Sequence, residues 1–106
     1  DEGLVRDWCQ RMGYAPVVFH ALQTSGAGGP SVPVYHTNVV MSMGEAVAVG
    51  CLDVVEEAAA LREAVDRSRK ELVALTEREM EGFAGNVLQV SNQDGKRLLV
   101  MSETAR

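Results

Sequence analysis

The chain has 106 residues, 46% of them hydrophobic, and its 15 acidic against 10 basic residues give a net charge of −5. This acidic balance disfavours nonspecific binding to nucleic acid or to an anionic membrane surface, because both repel negative charge. No apolar run approaches the roughly 20 residues that cross a bilayer and no signal pattern opens the chain, so we expect a cytoplasmic protein.

The first third of the chain predicts a helix, a strand and a loop. Apolar residues at helical spacing predict a helix over residues 3 to 12, which Gly13 ends in a left-handed conformation. Residues 17 to 22 predict a strand, and the small residues between 24 and 31 indicate a loop. This loop is not a phosphate cradle, because no Gly-Lys-Ser/Thr ending follows it and the next element is a strand.

A hairpin and a long helix are predicted next. Strands over residues 38 to 43 and 46 to 51 flank Gly44-Glu45, a break typical of a tight turn. Asp53 can then cap a helix over about residues 54 to 69, which would bury one apolar stripe. The stripe consists of Val54, Ala58, Leu61 and Val65.

A short strand and a short helix follow. Residues 72 to 75 predict the strand, and Thr76 with Glu79 three residues later matches a capping box. The helix that this box opens should end near Gly82.

The last predicted unit is a hairpin. Strands over residues 86 to 90 and 97 to 101 close on Asp94-Gly95, which favours a hairpin turn. The whole order of helices and strands predicts an α/β (α+β) fold and excludes all-helical bundles and simple sandwiches.

Two distant polar motifs stand out in this pattern. His36 interrupts an apolar run, and Gly85-Asn86 opens another predicted strand. A lone histidine in a strand is often a core or rim side chain bonded to a carbonyl. Two strands that each carry an amide, one of them with an imidazole as well, indicate instead a convergent site.

Three segments of the chain resemble the amidinotransferase superfamily of guanidino-group-modifying enzymes, and most closely its citrulline-utilisation hydrolase branch. These segments are Tyr35-His36-Thr37-Asn38-Val39, Phe83-Ala84-Gly85-Asn86-Val87-Leu88 and Leu99-Val100-Met101-Ser102. The resemblance implies a partial five-bladed α/β propeller, the pentein fold, with about two strand-strand-helix-strand modules. It also implies that residues 1–106 are a single fragment of an amidinotransferase-like propeller domain, with the catalytic cysteine beyond Arg106.

The resemblance further implies roles for individual residues. His36 matches the general acid/base of the superfamily, while Asn38, Gly85 and Asn86 match substrate-binding positions. Many relatives carry a carboxylate where this chain has Asn38, and an uncharged amide makes a neutral ureido substrate such as citrulline more plausible than a cationic guanidinium. For Asn86 the alternative is a turn amide that satisfies local backbone.

The remaining polar residues are interpreted as structural. Cys9 and Cys51 have no metal-ligand spacing and are interpreted as reduced, buried thiols, and neither is interpreted as a nucleophile. His20 lies in a predicted strand and is interpreted as a solvent-facing or core-edge residue. We expect no metal and no cofactor.

Two functional classes remain open at this stage. One is part of a cysteine-dependent hydrolase or amidinotransferase for guanidino or ureido compounds, with a small-molecule substrate as its partner. The other is a noncatalytic oligomerising or ligand-binding domain of the same fold. Exposed strand edges in an isolated piece of propeller would favour a homo-oligomer. No nucleic acid or membrane partner is expected.

Overall fold

The computed structural model describes residues 1–24 and 28–106, which form short strands and helices in a mixed α/β arrangement. The predicted loop includes residues 25 to 27, which lie outside the described residues. The helices are α1 (Glu2–Met12), α2 (Thr37–Val40), α3 (Ala58–Arg67) and α4 (Glu77–Glu81). The strands are β1 (Leu22–Thr24), β2 (Ser31–Pro33), β3 (Met41–Met43), β4 (Val47–Gly50), β5 (Glu71–Ala74), β6 (Leu88–Ser91) and β7 (Arg97–Val100).

A three-stranded sheet with the order β3-β4-β5 lies at the centre of the fold. Strand β4 pairs antiparallel with β3 and parallel with β5, and the parallel pair is connected by α3, the crossover that such pairing requires. The described residues thus contain one complete strand-strand-helix-strand unit. Strands β1 and β2 form one separate antiparallel hairpin, and β6 and β7 form another.

The core lies where α3 packs against this sheet and α4 packs against α2. The predicted apolar stripe is confirmed for three of its four residues, since Leu61 and Val65 of α3 are buried and Ala58 packs at the edge of the core. Val54 is buried as well, but it precedes the helix. The other buried members of the cluster are Val40, Met41, Ala48, Cys51, Val55 and Met80. Because the two sequence segments around Val40 and Met80 both contribute to this core, they are held close to each other.

Helix α1 agrees with the prediction at both ends. The Asp1 side chain accepts a hydrogen bond from the Leu4 amide at 3.1 Å, which caps the first turn. Gly13 ends the helix with a φ of 75°, a left-handed conformation that costs glycine nothing. Beyond it, the Tyr14 ring stacks on Trp8 with 5.6 Å between the ring centroids.

The strand predicted over residues 17 to 22 is wrong in position. Only Ala21 makes an isolated bridge, to Val55, and the strand proper is β1. The apolar side chains of this segment pack against the core and do not mark a hydrogen-bonded strand: Phe19, for example, contacts the core at its edge.

The helix predicted from residue 54 begins later, at Ala58, and its N-cap is Glu57, so the prediction that Asp53 caps it is wrong. Residues 54 and 55 stay outside the helix because they pair with residues 21 and 22, where β1 begins. The Val54 carbonyl accepts the Leu22 amide at 2.8 Å, and Val55 bridges Ala21. Long-range pairing therefore overrides the local helical pattern.

The C-terminal elements follow the prediction closely. The Thr76 hydroxyl accepts the Glu79 amide at 3.3 Å and the Glu79 carboxylate accepts the Thr76 amide at 2.8 Å, which completes the capping box. The last hairpin turns at Gly95, whose φ is 76°. None of the helices in the described part of the chain has the length and apolar character needed to cross a bilayer.

Candidate active site

The segment that carries His36 is a helical turn and not the start of a strand. The predicted strand over residues 38 to 43 begins only at Met41, because residues 37 to 40 form α2. His36 is the N-cap of this turn, and its carbonyl accepts the Val39 amide at 3.1 Å. The Val40 carbonyl accepts a hydrogen bond from the Cys51 amide at 3.0 Å, and this bond holds α2 against the end of β4.

This geometry changes the relation between His36 and Asn38. The prediction that they share one face rested on the alternation of side chains along a strand, and it is wrong because Asn38 lies within a helical turn. Both side chains are exposed. The two residues remain close in the chain at the start of α2, but strand alternation does not place them on a common face.

The second motif forms a tight turn after α4. Phe83 adopts a left-handed φ of 64°, and the Ala84 amide donates to the Glu79 carbonyl at 3.0 Å. The Asn86 amide then donates to the Phe83 carbonyl at 3.0 Å. These bonds involve only main-chain atoms, so the Asn86 side chain does not close the turn. The side chain is exposed and lies just before β6.

Gly85 brings the two motifs into contact. It is buried, and a Cβ atom at this position would lie 2.6 Å from the carbonyl oxygen of Val39 and 2.9 Å from that of Val40. Only a residue without a side chain allows so close an approach between two stretches of main chain. The two polar motifs that the sequence singled out, 49 positions apart in His36 and Gly85, are therefore packed against each other through α2.

The His36 side chain is free to meet a ligand. It is exposed, it does not cap α2, and it makes no hydrogen bond or ion pair to any residue in 1–24 or 28–106. Its ring meets the Tyr35 ring edge-on, with 5.0 Å between centroids and an interplanar angle of 67°. The interpretation of His36 as a core histidine satisfied by a carbonyl does not fit this exposed position.

The other histidine has a different environment, which sequence reasoning missed in part. His20 is exposed, as expected, but its Nδ1 lies 2.7 Å from a Glu57 carboxylate oxygen, and its amide donates to the other oxygen at 2.7 Å. The hydrogen bond to Glu57 raises the pKa of His20, and the same contacts lower the pKa of Glu57. The partners are 37 positions apart, so no local pattern could have indicated the pair.

Both cysteines are free and buried, as the sequence predicted. Burial is the main cause of a raised pKa for the Cys51 thiol, which therefore stays protonated at neutral pH. A thiol must be deprotonated and accessible to act as a nucleophile. Neither cysteine meets both requirements, which agrees with their interpretation as structural residues.

Within the described residues, no group of three His, Cys, Asp or Glu side chains is arranged to hold a metal ion. His36, Asn38 and Asn86 are all exposed, and together they offer one titratable ring and two amides that can both donate and accept hydrogen bonds. Such a set can exchange a proton and orient a planar, nitrogen-rich group. It does not itself supply a nucleophile.

Comparison with known protein families identifies a family for this chain. The family model described as N,N dimethylarginine dimethylhydrolase, eukaryotic, matches residues 1–106. No curated protein and no solved structure matches the chain. The matched region includes both motifs that meet at Gly85.

Proposed function

The chain belongs to the dimethylarginine dimethylhydrolase family, within the pentein or amidinotransferase superfamily, and on this premise we propose that it provides the acid/base part of a cysteine-dependent hydrolase for guanidino or ureido compounds. The observation that carries the proposal is the contact through Gly85, which packs the segments of Asn86 and His36 against each other. The His36 ring makes no hydrogen bond or ion pair within residues 1–24 and 28–106. Arginine derivatives and citrulline-like ureido compounds are the proposed substrate class.

The proposed reaction begins with a thiolate that attacks the planar carbon of the substrate, forming a C–S bond. Because Cys9 and Cys51 are buried, this thiolate comes from residues other than these 106. The cationic His36 ring donates a proton to the leaving nitrogen as the C–N bond breaks. The neutral ring then takes a proton from water, whose oxygen bonds to the same carbon while the C–S bond breaks and the thiolate leaves.

Asn38 and Asn86 are the proposed contacts to the substrate nitrogens. Each amide oxygen accepts an N–H bond, and neither brings a negative charge to the site. A site without a carboxylate at these two positions gives a cationic guanidinium less electrostatic stabilisation than relatives with an acidic residue would give. We therefore propose that a neutral ureido group such as that of citrulline is preferred over arginine.

The fold fits the same proposal. The β3-β4-α3-β5 unit has the strand order of one blade of a five-bladed propeller, and the β6-β7 hairpin has that of the first two strands of a second blade. We propose that residues 1–106 form part of such a propeller domain. A homo-oligomer stays a prediction that follows from its exposed strand edges.

A hydrolysis assay with paired histidine variants tests the proposal. The full-length protein would be incubated with citrulline, arginine and dimethylarginine, and the released amine and the ureido or carbamate product measured. His36→Gln should lower kcat by about 100-fold or more, within the range that general acid/base catalysis contributes. The matched control is His20→Gln, which removes the other exposed histidine and should leave kcat unchanged.

Two results would contradict the proposal. Equal losses in the two histidine variants would assign no special role to His36. No turnover of any of the three compounds by the folded wild-type protein would favour the noncatalytic domain of the same fold.

A further inference from the structure

The main chain around Gly85 packs directly against α2. Val39 and Val40 present their carbonyl oxygens to Gly85 so closely that a methyl group on its Cα would lie 2.6 Å and 2.9 Å from them. Val40 is almost completely buried and its carbonyl also binds the Cys51 amide, so the turn cannot move away without breaking the core and this hydrogen bond. The contact therefore has backbone on both sides and little room to relax.

His36 is attached rigidly to this contact. It is the N-cap of a turn of only four residues, and its carbonyl is bonded to the amide of Val39, one of the two residues that touch Gly85. A shift of the Val39 carbonyl thus changes the position of His36 within the same hydrogen-bonded turn. Among the described residues the imidazole makes no hydrogen bond or ion pair, and its ring contact is to Tyr35, the residue directly before it in the chain.

We propose that Gly85 is a positioning residue for His36, and not a substrate contact: its missing side chain sets the distance between the turn after α4 and α2, and thereby the place of the imidazole. This inference rests on the proposed function of His36. It assigns to Gly85 a different role from the substrate binding that the family resemblance implied, because Gly85 is buried under two carbonyl oxygens.

Gly85→Ala in the full-length protein tests the inference. The added methyl group must displace α2, and a misplacement of about 1 Å at a reacting group can cost about 100-fold in rate. We expect kcat at saturating substrate to fall by about 10- to 100-fold. KM should rise as well, because Asn38 lies within α2 and moves with it, so the fall in kcat and the pH–rate profile are the readouts that report the position of His36. The limb of the pH–rate profile that His36 sets should also move.

Two control variants separate positioning from loss of stability. Gly82→Ala adds the same methyl group at the end of α4, where it meets the Glu79 carbonyl at 3.3 Å and no α2 atom among its nearest neighbours. Val65→Ala removes buried volume from α3 and lowers stability while leaving the residues of α2 and of the turn after α4 unchanged. Both should keep kcat and the pH–rate profile close to those of the wild type.

A third variant covers the case in which Gly85→Ala does not fold. Ala84→Gly adds backbone freedom to the same turn without adding an atom, and it should lower kcat several-fold. Unchanged kcat in Ala84→Gly, or wild-type kcat in a folded Gly85→Ala, would overturn the inference. The proposed function fails separately, if His36→Gln retains activity.

Discussion

Met80 offers the sharpest test of how the candidate site is supported. It is the buried residue of α4 and one of the largest fully buried side chains in the described part of the chain, with an exposed fraction of 1%. The turn that carries Gly85 and Asn86 begins two residues after α4. Met80 therefore anchors the second motif to the same core that holds α2.

The expected cost of Met80→Ala follows from its burial. Truncating a fully buried methionine to alanine costs about 2–5 kcal/mol, because transfer free energy is lost and a cavity remains. A domain of this size has a total stability of about 5–15 kcal/mol, so the change removes a large share of it. A loss of about 3 kcal/mol would lower Tm by roughly 12–24 °C for a chain of about 100 residues.

Urea denaturation followed by far-UV circular dichroism measures this loss. The matched control is Met43→Ala, whose side chain is 52% exposed and should cost less than about 1 kcal/mol. A cost for Met80→Ala no greater than that of the control would refute the reasoning, because it would mean that α4 is not held by a closely packed core.

Three further predictions concern caps, charges and thiols. Thr76→Ala removes the hydroxyl that caps α4 and should cost about 1 kcal/mol in urea denaturation, whereas an unchanged midpoint would show that the capping box contributes nothing. The His20–Glu57 pair contributes stability that is fully present above the ordinary Glu pKa and below the ordinary His pKa; it is lost as pH falls through the lowered pKa of Glu57 or rises through the raised pKa of His20. An NMR titration should therefore show the His20 ring titrating at higher pH than in Glu57→Gln, and equal midpoints would contradict the pair. Iodoacetamide should leave Cys9 and Cys51 unmodified in the folded 106-residue chain and alkylate both in urea, so rapid labelling without denaturant would contradict their burial.

The sequence predicted the elements whose signals are local. The capping box at Thr76, the left-handed stop at Gly13 and the turn at Gly95 depend on hydrogen bonds or backbone angles within a few residues, and all three are present. The apolar stripe of α3 was also predictable, because helical spacing alone decides which residues face the core.

Long-range contacts explain where the predictions were wrong. The start of α3 is delayed because Val54 and Val55 pair with residues more than thirty positions earlier. The strand expected at residue 38 becomes the turn α2, whose carbonyls meet Gly85 and Cys51. Neither partner can be read from the apolar pattern around Asn38.

The candidate site likewise has features that local sequence predicts and features that depend on long-range contacts. His36 and Asn86 could be identified from the sequence because polar residues at the start of apolar segments are unusual. Their relative placement could not be predicted, since it depends on the buried main-chain contact of Gly85. The His20–Glu57 pair was missed for the same reason. It distinguishes His20 from His36, which makes no hydrogen bond or ion pair in the part of the chain that the structure describes.

The most direct test of the central claim is the labelling of the full-length protein by a haloacetamidine, a thiol-reactive analogue of the guanidino group, followed by intact-mass spectrometry. If His36 acts as the acid/base group beside an activated cysteine, the wild type and His20→Ala should gain one adduct. His36→Ala should gain that adduct many times more slowly. Equal labelling rates in all three proteins, or no labelling of the folded wild type, would contradict the account.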